Sequence, residues 1–83
     1  MNHIFKYDAS ETGSYSLPIT AKVVHVAHQG GSFPTIWAEI YLLQDDSTKL
    51  LQAVGTGHQY PATHNHVGSA ICGAYVWHVI EPG

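Results

Sequence analysis

Three histidines, His58, His64 and His66, fall in or beside one stretch, Gly55-Thr56-Gly57-His58-Gln59-Tyr60-Pro61-Ala62-Thr63-His64-Asn65. Imidazole is a common metal ligand, and a zinc site wants three or four such groups converging at about 2.0–2.1 Å. On an extended chain His64 and His66 point to one face, as a pair must to chelate one ion, with His58 the candidate third ligand. No acid or thiol lies close to them in sequence, the nearest acids being Asp45 and Asp46. The plainer reading is therefore a set of solvent-facing loop imidazoles, and no resident metal or cofactor is expected. His25 and His28 stand three apart on an extended run, facing opposite sides, so a shared ion is not expected there either. The string His64-Asn65-His66 spells a nuclease motif, but that motif needs a strand–helix metal scaffold and a basic surface that this chain does not offer.

The glycines of the same stretch suggest a second chemistry. Gly55-Thr56-Gly57 can present successive backbone amides in a concave turn that receives an anion, and Thr56 and His58 can add side-chain bonds. No helix follows to lend its dipole, as a phosphate loop requires, so an ordinary turn at a strand end is the competing reading. If an anion binds, a nucleotide suits better than an inorganic ion, because Tyr60, Tyr41, Trp37 and Trp77 supply stacking faces. The candidate ligand contacts are thus Gly55, Thr56, Gly57, His58, Tyr60, Trp37 and Tyr41, although such aromatics are more often core or interface anchors than base platforms. Nucleophilic catalysis has little support. Cys72 has no base beside it in sequence, no strained elbow marks a serine, and no paired carboxylates stand at catalytic spacing. The expectation is a protein that binds and is not an enzyme.

The elements that must position these residues read as strands. Short runs rich in Val, Ile, Tyr and Trp alternate with Gly, Pro, Asp and Ser clusters, and no convincing helix appears. Candidate strands are Ile4-Phe5-Lys6-Tyr7, Tyr15-Ser16-Leu17, Lys22 to His28, Thr35 to Leu43, Lys49 to Val54, His66 to Ile71, and Tyr75 to Glu81. In the fourth, Ile36, Ala38, Ile40 and Leu42 share one face and Trp37, Glu39, Tyr41 and Leu43 the other, so both faces are partly apolar. Gln29-Gly30-Gly31-Ser32 reads as a hairpin turn, Gln44 to Thr48 as a second, and Cys72-Gly73-Ala74 as a third. Trp77 is read as facing the core with His78 opposite. The predicted fold is all-β: a small antiparallel meander of six or seven strands in sequential hairpins, forming a curled sheet, a small barrel or a sandwich.

Composition sets the outer limits. The 83 residues make one domain, residues 1–83, and a chain this short buries only about 60% of its unfolded surface. A ligand site is therefore expected on the surface or between subunits. Hydrophobic residues make up 45% of the chain and charged residues 11%, against about 25% in typical domains, which predicts self-association. Three lysines, no arginine and a formal charge of -3 lack the cationic footprint of a duplex-binding protein. The opening residues contain no apolar signal-peptide core and no run approaches a membrane span, so the cytoplasm is the expected location, without membrane contact.

Several blocks then carry a resemblance. Phe5-Lys6-Tyr7, Leu17-Pro18, Ala21 to Val26, Gln29-Gly30, Ile36-Trp37-Ala38, Gly55-Thr56-Gly57-His58, Val67-Gly68-Ser69 and Val76 to Glu81 resemble, in order and spacing, a small β-domain family. That family is encoded by phages and prophages and classed as a domain of unknown function. The likeness covers nearly the whole chain, and its most specific part is Gly-Thr-Gly-His followed by Val-Trp-His. The chain departs from the pattern at Glu39, where an aliphatic residue is usual, and at His66, where a tyrosine is usual. The resemblance implies a non-enzymatic phage accessory protein acting in the bacterial host cytoplasm. In one reading, a homo-oligomer sequesters a small nucleotide immune signal such as a cyclic ADP-ribose or cyclic dinucleotide, a counter-defence sponge. In another, an exposed strand edge or aromatic patch occludes a host defence protein. A third is a structural or interaction module of the phage.

Overall fold

The computed structural model describes residues 2–41 and 47–82, together with the backbone but not the side chain of Tyr41. Seven antiparallel strands form where the sequence places them: β1 (Asn2–Tyr7), β2 (Ser14–Pro18), β3 (Lys22–Ala27), β4 (Thr35–Tyr41), β5 (Thr48–Gly55), β6 (His64–Cys72) and β7 (Tyr75–Pro82). There is no helix among the described residues, and so none long and apolar enough to cross a membrane. The expected positions Leu42 to Asp46 lie outside the described residues.

The strands divide into two sheets that pack face to face without closing into a barrel. One has the order β1-β4-β3 and the other β2-β5-β7-β6. Two of the expected hairpins are present, β3–β4 and β6–β7. The expected β4–β5 hairpin is not, because these strands lie in different sheets, and the sequential order is replaced by long-range pairing of β1 with β4 and β2 with β5. Alternation explains the partition. Ile36, Ala38 and Ile40 on β4 face Tyr15, Leu17, Leu51, Ala53 and Val79 of the second sheet, and these residues form the core. Leu17, Ile36, Leu51 and Val79 are fully buried, each contributing about 1.5–3 kcal/mol of transfer free energy.

Tyr15, Thr35 and Lys49 find partners where they enter the core, whereas the buried Trp77 Nε1 has none. The Tyr15 hydroxyl donates to the Pro34 carbonyl at 2.5 Å, and Thr35 Oγ1 donates to Asp8 at 2.8 Å. Lys49 donates to the Ala21 carbonyl at 2.6 Å while its Nζ stands 3.0 Å from Glu81 Oε2, which accepts no aligned hydrogen bond. The sandwich is tightest where β3 meets β6. A Cβ on Gly68 would lie 2.4 Å from Val26 Cγ2 and 2.9 Å from Val26 Cβ, so only glycine permits this approach.

Candidate functional site

β5 ends in a turn that folds over the outer face of the four-stranded sheet. His58 N donates to Gly55 O at 3.0 Å, and Gly57, third of the four residues, has φ +90° while Thr56 has none of the positive φ that only glycines show here. That combination is a type II turn, whose third position selects glycine. The turn uses its own amides. Besides His58 N, Thr56 N donates to the Val76 carbonyl at 3.3 Å and Gly55 N to His58 Nδ1 at 3.3 Å. The expected backbone cradle for an anion is therefore not assembled, since three of its four amides are bonded within the protein. What the turn presents instead is side chains.

The His58 ring lies back over Gly55, where an added Cβ would meet Cε1 at 3.1 Å. Because the Gly55 amide can only donate, His58 Nδ1 must accept, and neutral His58 carries its proton on Nε2. Beside it runs a chain of three side chains: Thr56 Oγ1 is 2.8 Å from His78 Nε2, and His78 Nδ1 is 3.0 Å from His66 Nε2. Thr56 Oγ1 also reaches the Val76 carbonyl at 3.4 Å. The assignment that uses every bond has His66 Nε2–H donating to His78, His78 Nε2–H donating to Thr56, and the Thr56 hydroxyl donating to Val76. In that assignment Thr56 gives its proton to a carbonyl and not to an imidazole.

A β-bulge brings His66 to His78. β7 presents His78 on the outer face, opposite Trp77, by simple alternation. The tight hairpin at Gly73 pairs Cys72 with Tyr75 and Ser69 with His78; continued regularly it would set His66 opposite Glu81, on the inner face. The extra residue Val67 shifts the register so that His66 pairs with Ile80 and emerges on the outer face. The rings of His66 and His78 lie 5.2 Å apart. Together Val54, Gly55, Thr56, Gly57, His58, Tyr60, His66 and His78 line an open groove of about 320 Å³.

Five of the expected ligand residues, Gly55, Thr56, Gly57, His58 and Tyr60, thus meet in one groove, and the remaining aromatics do not join them. Trp37 lies on the outer face of the other sheet, its ring 5.2 Å from that of His25. Tyr41 ends β4 opposite Asn2, and its side chain lies outside the described residues. Trp77 faces inward, against Phe33 at 4.8 Å. The metal candidates each have another neighbour: His58 accepts from the Gly55 amide, His64 stands 3.4 Å from Thr63 Oγ1, and His66 pairs with His78. Among the described residues no three His, Cys, Asp or Glu side chains gather to hold an ion. His78 is the groove residue that alternation alone could have found, whereas the placement of His66 depends on a bulge that the sequence marks only by Gly68 inside a strand. Cys72 is buried, which pushes its thiol above the ordinary range.

Comparison with curated proteins and with solved structures gave no match. The sequence matches a family described as a domain of unknown function (DUF7352), over residues 1–83, and the chain belongs to that family.

Proposed function

We propose that this domain is a binding protein whose groove between the Gly55–His58 turn and the β6–β7 hairpin holds a small nucleotide-like ligand. The observation that carries the reading is the convergence of His58, His66 and His78 with Tyr60 around one open groove. Its volume lies at the lower end of the roughly 300–1,000 Å³ of small-molecule sites. Tyr60, 43% exposed, offers a ring face for a planar base, and the Nε2–H of His58 is a donor for an anionic oxygen. With the backbone amides occupied, recognition falls to these side chains. Resemblance to phage accessory domains supports taking the ligand as a nucleotide immune signal, sequestered in the cytoplasm of the bacterial host.

Titration calorimetry with cyclic ADP-ribose and cyclic dinucleotides tests this, alongside native mass spectrometry of protein purified from signal-producing cells. The expected result is a retained mass released on denaturation, with binding abolished in His58→Ala at a nearly unchanged melting temperature. A clean ligand-free species that binds none of these compounds would remove the reading.

A further inference from the structure

Four strands lie at sheet edges, and three of them are blunted. β3 and β6 each carry a bulge, between Val23 and His25 and between His66 and Gly68, and they meet each other across the sandwich. β2 presents Ser14 and Ser16 outward and ends at Pro18, which has no N–H to offer a neighbour. β1 has neither bulge nor proline, and of its outward residues Asn2 and Lys6 are polar while Ile4 between them is not. Its six residues keep unbroken register with β4, from Asn2 opposite Tyr41 to Tyr7 opposite Ile36. Among the described residues its other edge pairs with no strand, and it exposes apolar side chains on both faces, Ile4 by 62% and Phe5 by 46%. A regular, apolar, open edge is a template for another strand.

We propose that the occupant is β1 of a second copy of this chain, paired antiparallel about a two-fold axis at Ile4, so that the two three-stranded sheets become one continuous sheet. The register follows from the faces. A two-fold axis normal to the sheet keeps each face on its own side, so only residues of one face come opposite each other. Centring on Ile4 sets Ile4 against its own copy, His3 against Phe5, and Asn2 against Lys6. Asn2, Ile4 and Lys6 share the outer face, while His3 and Phe5 share the inner one, where their rings already lie 6.0 Å apart within one strand. The seam therefore joins apolar to apolar and aromatic to aromatic, and puts the one lysine of β1 opposite an amide at its end. Centring on Phe5 instead would drive Lys6 against Ile4. Phe5 points to the core side, opposite Ala38, yet overhangs its rim; a second copy covers that overhang on both sides of the axis. The low charge of the chain, 11%, fits a surface meant to be partly covered.

About four to six main-chain hydrogen bonds close such a seam. An interface of this kind falls at the small end of specific contacts, below about 1,200 Å², so the dimer forms reversibly at micromolar concentrations. This inference does not depend on the groove, which lies on the other sheet. Sedimentation velocity from about 1 to about 300 µM should show the wild-type protein passing from monomer to dimer. Ile4→Lys and Ile4→Glu, at a solvent-facing position, should each retain the far-UV spectrum yet stay monomeric throughout, because like charges then meet on the axis. An equimolar mixture of the two variants should dimerise again, which happens only if position 4 faces position 4. A wild-type protein monomeric over the whole range overturns the proposal, as does a dimer that survives both substitutions or a mixture that fails to reassociate.

Discussion

Gly68→Ala isolates the closest approach between the two sheets. The added Cβ would stand 2.4 Å from Val26 Cγ2 and 2.9 Å from Val26 Cβ. Carbon atoms rest at about 3.5–4.0 Å, so the first contact is short by at least about 1.1 Å and the second by about 0.6 Å. Turning Val26 about χ1 can move Cγ2, at the expense of a preferred rotamer of a β-branched residue. It cannot move Cβ, and β3 and β6 must therefore separate. Overpacking of this kind costs about 1–3 kcal/mol, which for a domain of this size lowers the melting temperature by about 5–20 °C. Thermal unfolding followed by circular dichroism reads the loss directly. The companion measurement is a double-mutant cycle with Val26→Ala. That substitution alone loses about 1–2 kcal/mol of packing, but it removes the Cγ2 contact that the alanine at position 68 would make. The double variant should be more stable than the two single losses summed, by about 1 kcal/mol. Because the Cβ contact persists, recovery should be partial. A Gly68→Ala protein melting within about a degree of wild type, or a cycle that is strictly additive, would refute the close approach.

Three further expectations are open to measurement. Burial, with smaller contributions from Cys72 and Asp8, holds the Tyr15 hydroxyl well above the ordinary tyrosine range. The unfolded chain ionises this group near pH 10 while the folded one does not, so stability should fall as pH rises above about 10, and one of the five tyrosines should titrate at 295 nm only on unfolding. Tyr15→Phe leaves the buried Pro34 carbonyl without its donor and should destabilise by about 1–2 kcal/mol in urea melts, with the main-chain fold unchanged. Lys49→Met should destabilise more than Glu81→Gln, because Lys49 serves two partners and its loss strands both the Ala21 carbonyl and the Glu81 charge; equal losses would show that the ion pair alone matters.

Alternation made the strands legible in the sequence, and with them the buried face of β4, where Ile36, Ala38 and Ile40 lie in the core as their spacing requires. Pairing was legible only where the turn is local, at Gly30 and at Gly73. The period of two says which side of a strand is buried, not which strand lies beside it, so β4 and β5 read as a hairpin although their apolar faces meet across the core. The same limit governs the groove. The turn residues Gly55 to His58 and the nearby Tyr60 were found because they are contiguous in sequence. His66 was named with its neighbours His58 and His64, but its pairing with His78 escaped because Val67 reverses the face it would otherwise show, and Trp37 was included because composition cannot tell which sheet an aromatic ring occupies.

The strand order also constrains when the fold can form. β1 and β2 find no partner in each other; Phe5 waits for Ala38 and Tyr15 for Leu51. During synthesis, the N-terminal strands must therefore remain unpaired until β4 and then β5 have been made, with Ile4, Phe5 and Leu17 open to solvent or to other chains. Closing such long loops before any reward arrives slows folding toward the millisecond-to-second range of non-local β topologies. The β6–β7 hairpin, by contrast, has its turn built in and can form as soon as it is synthesised. The β3–β4 hairpin shares that advantage, so two local hairpins can form early and β1, β2 and β5 must find them across the chain.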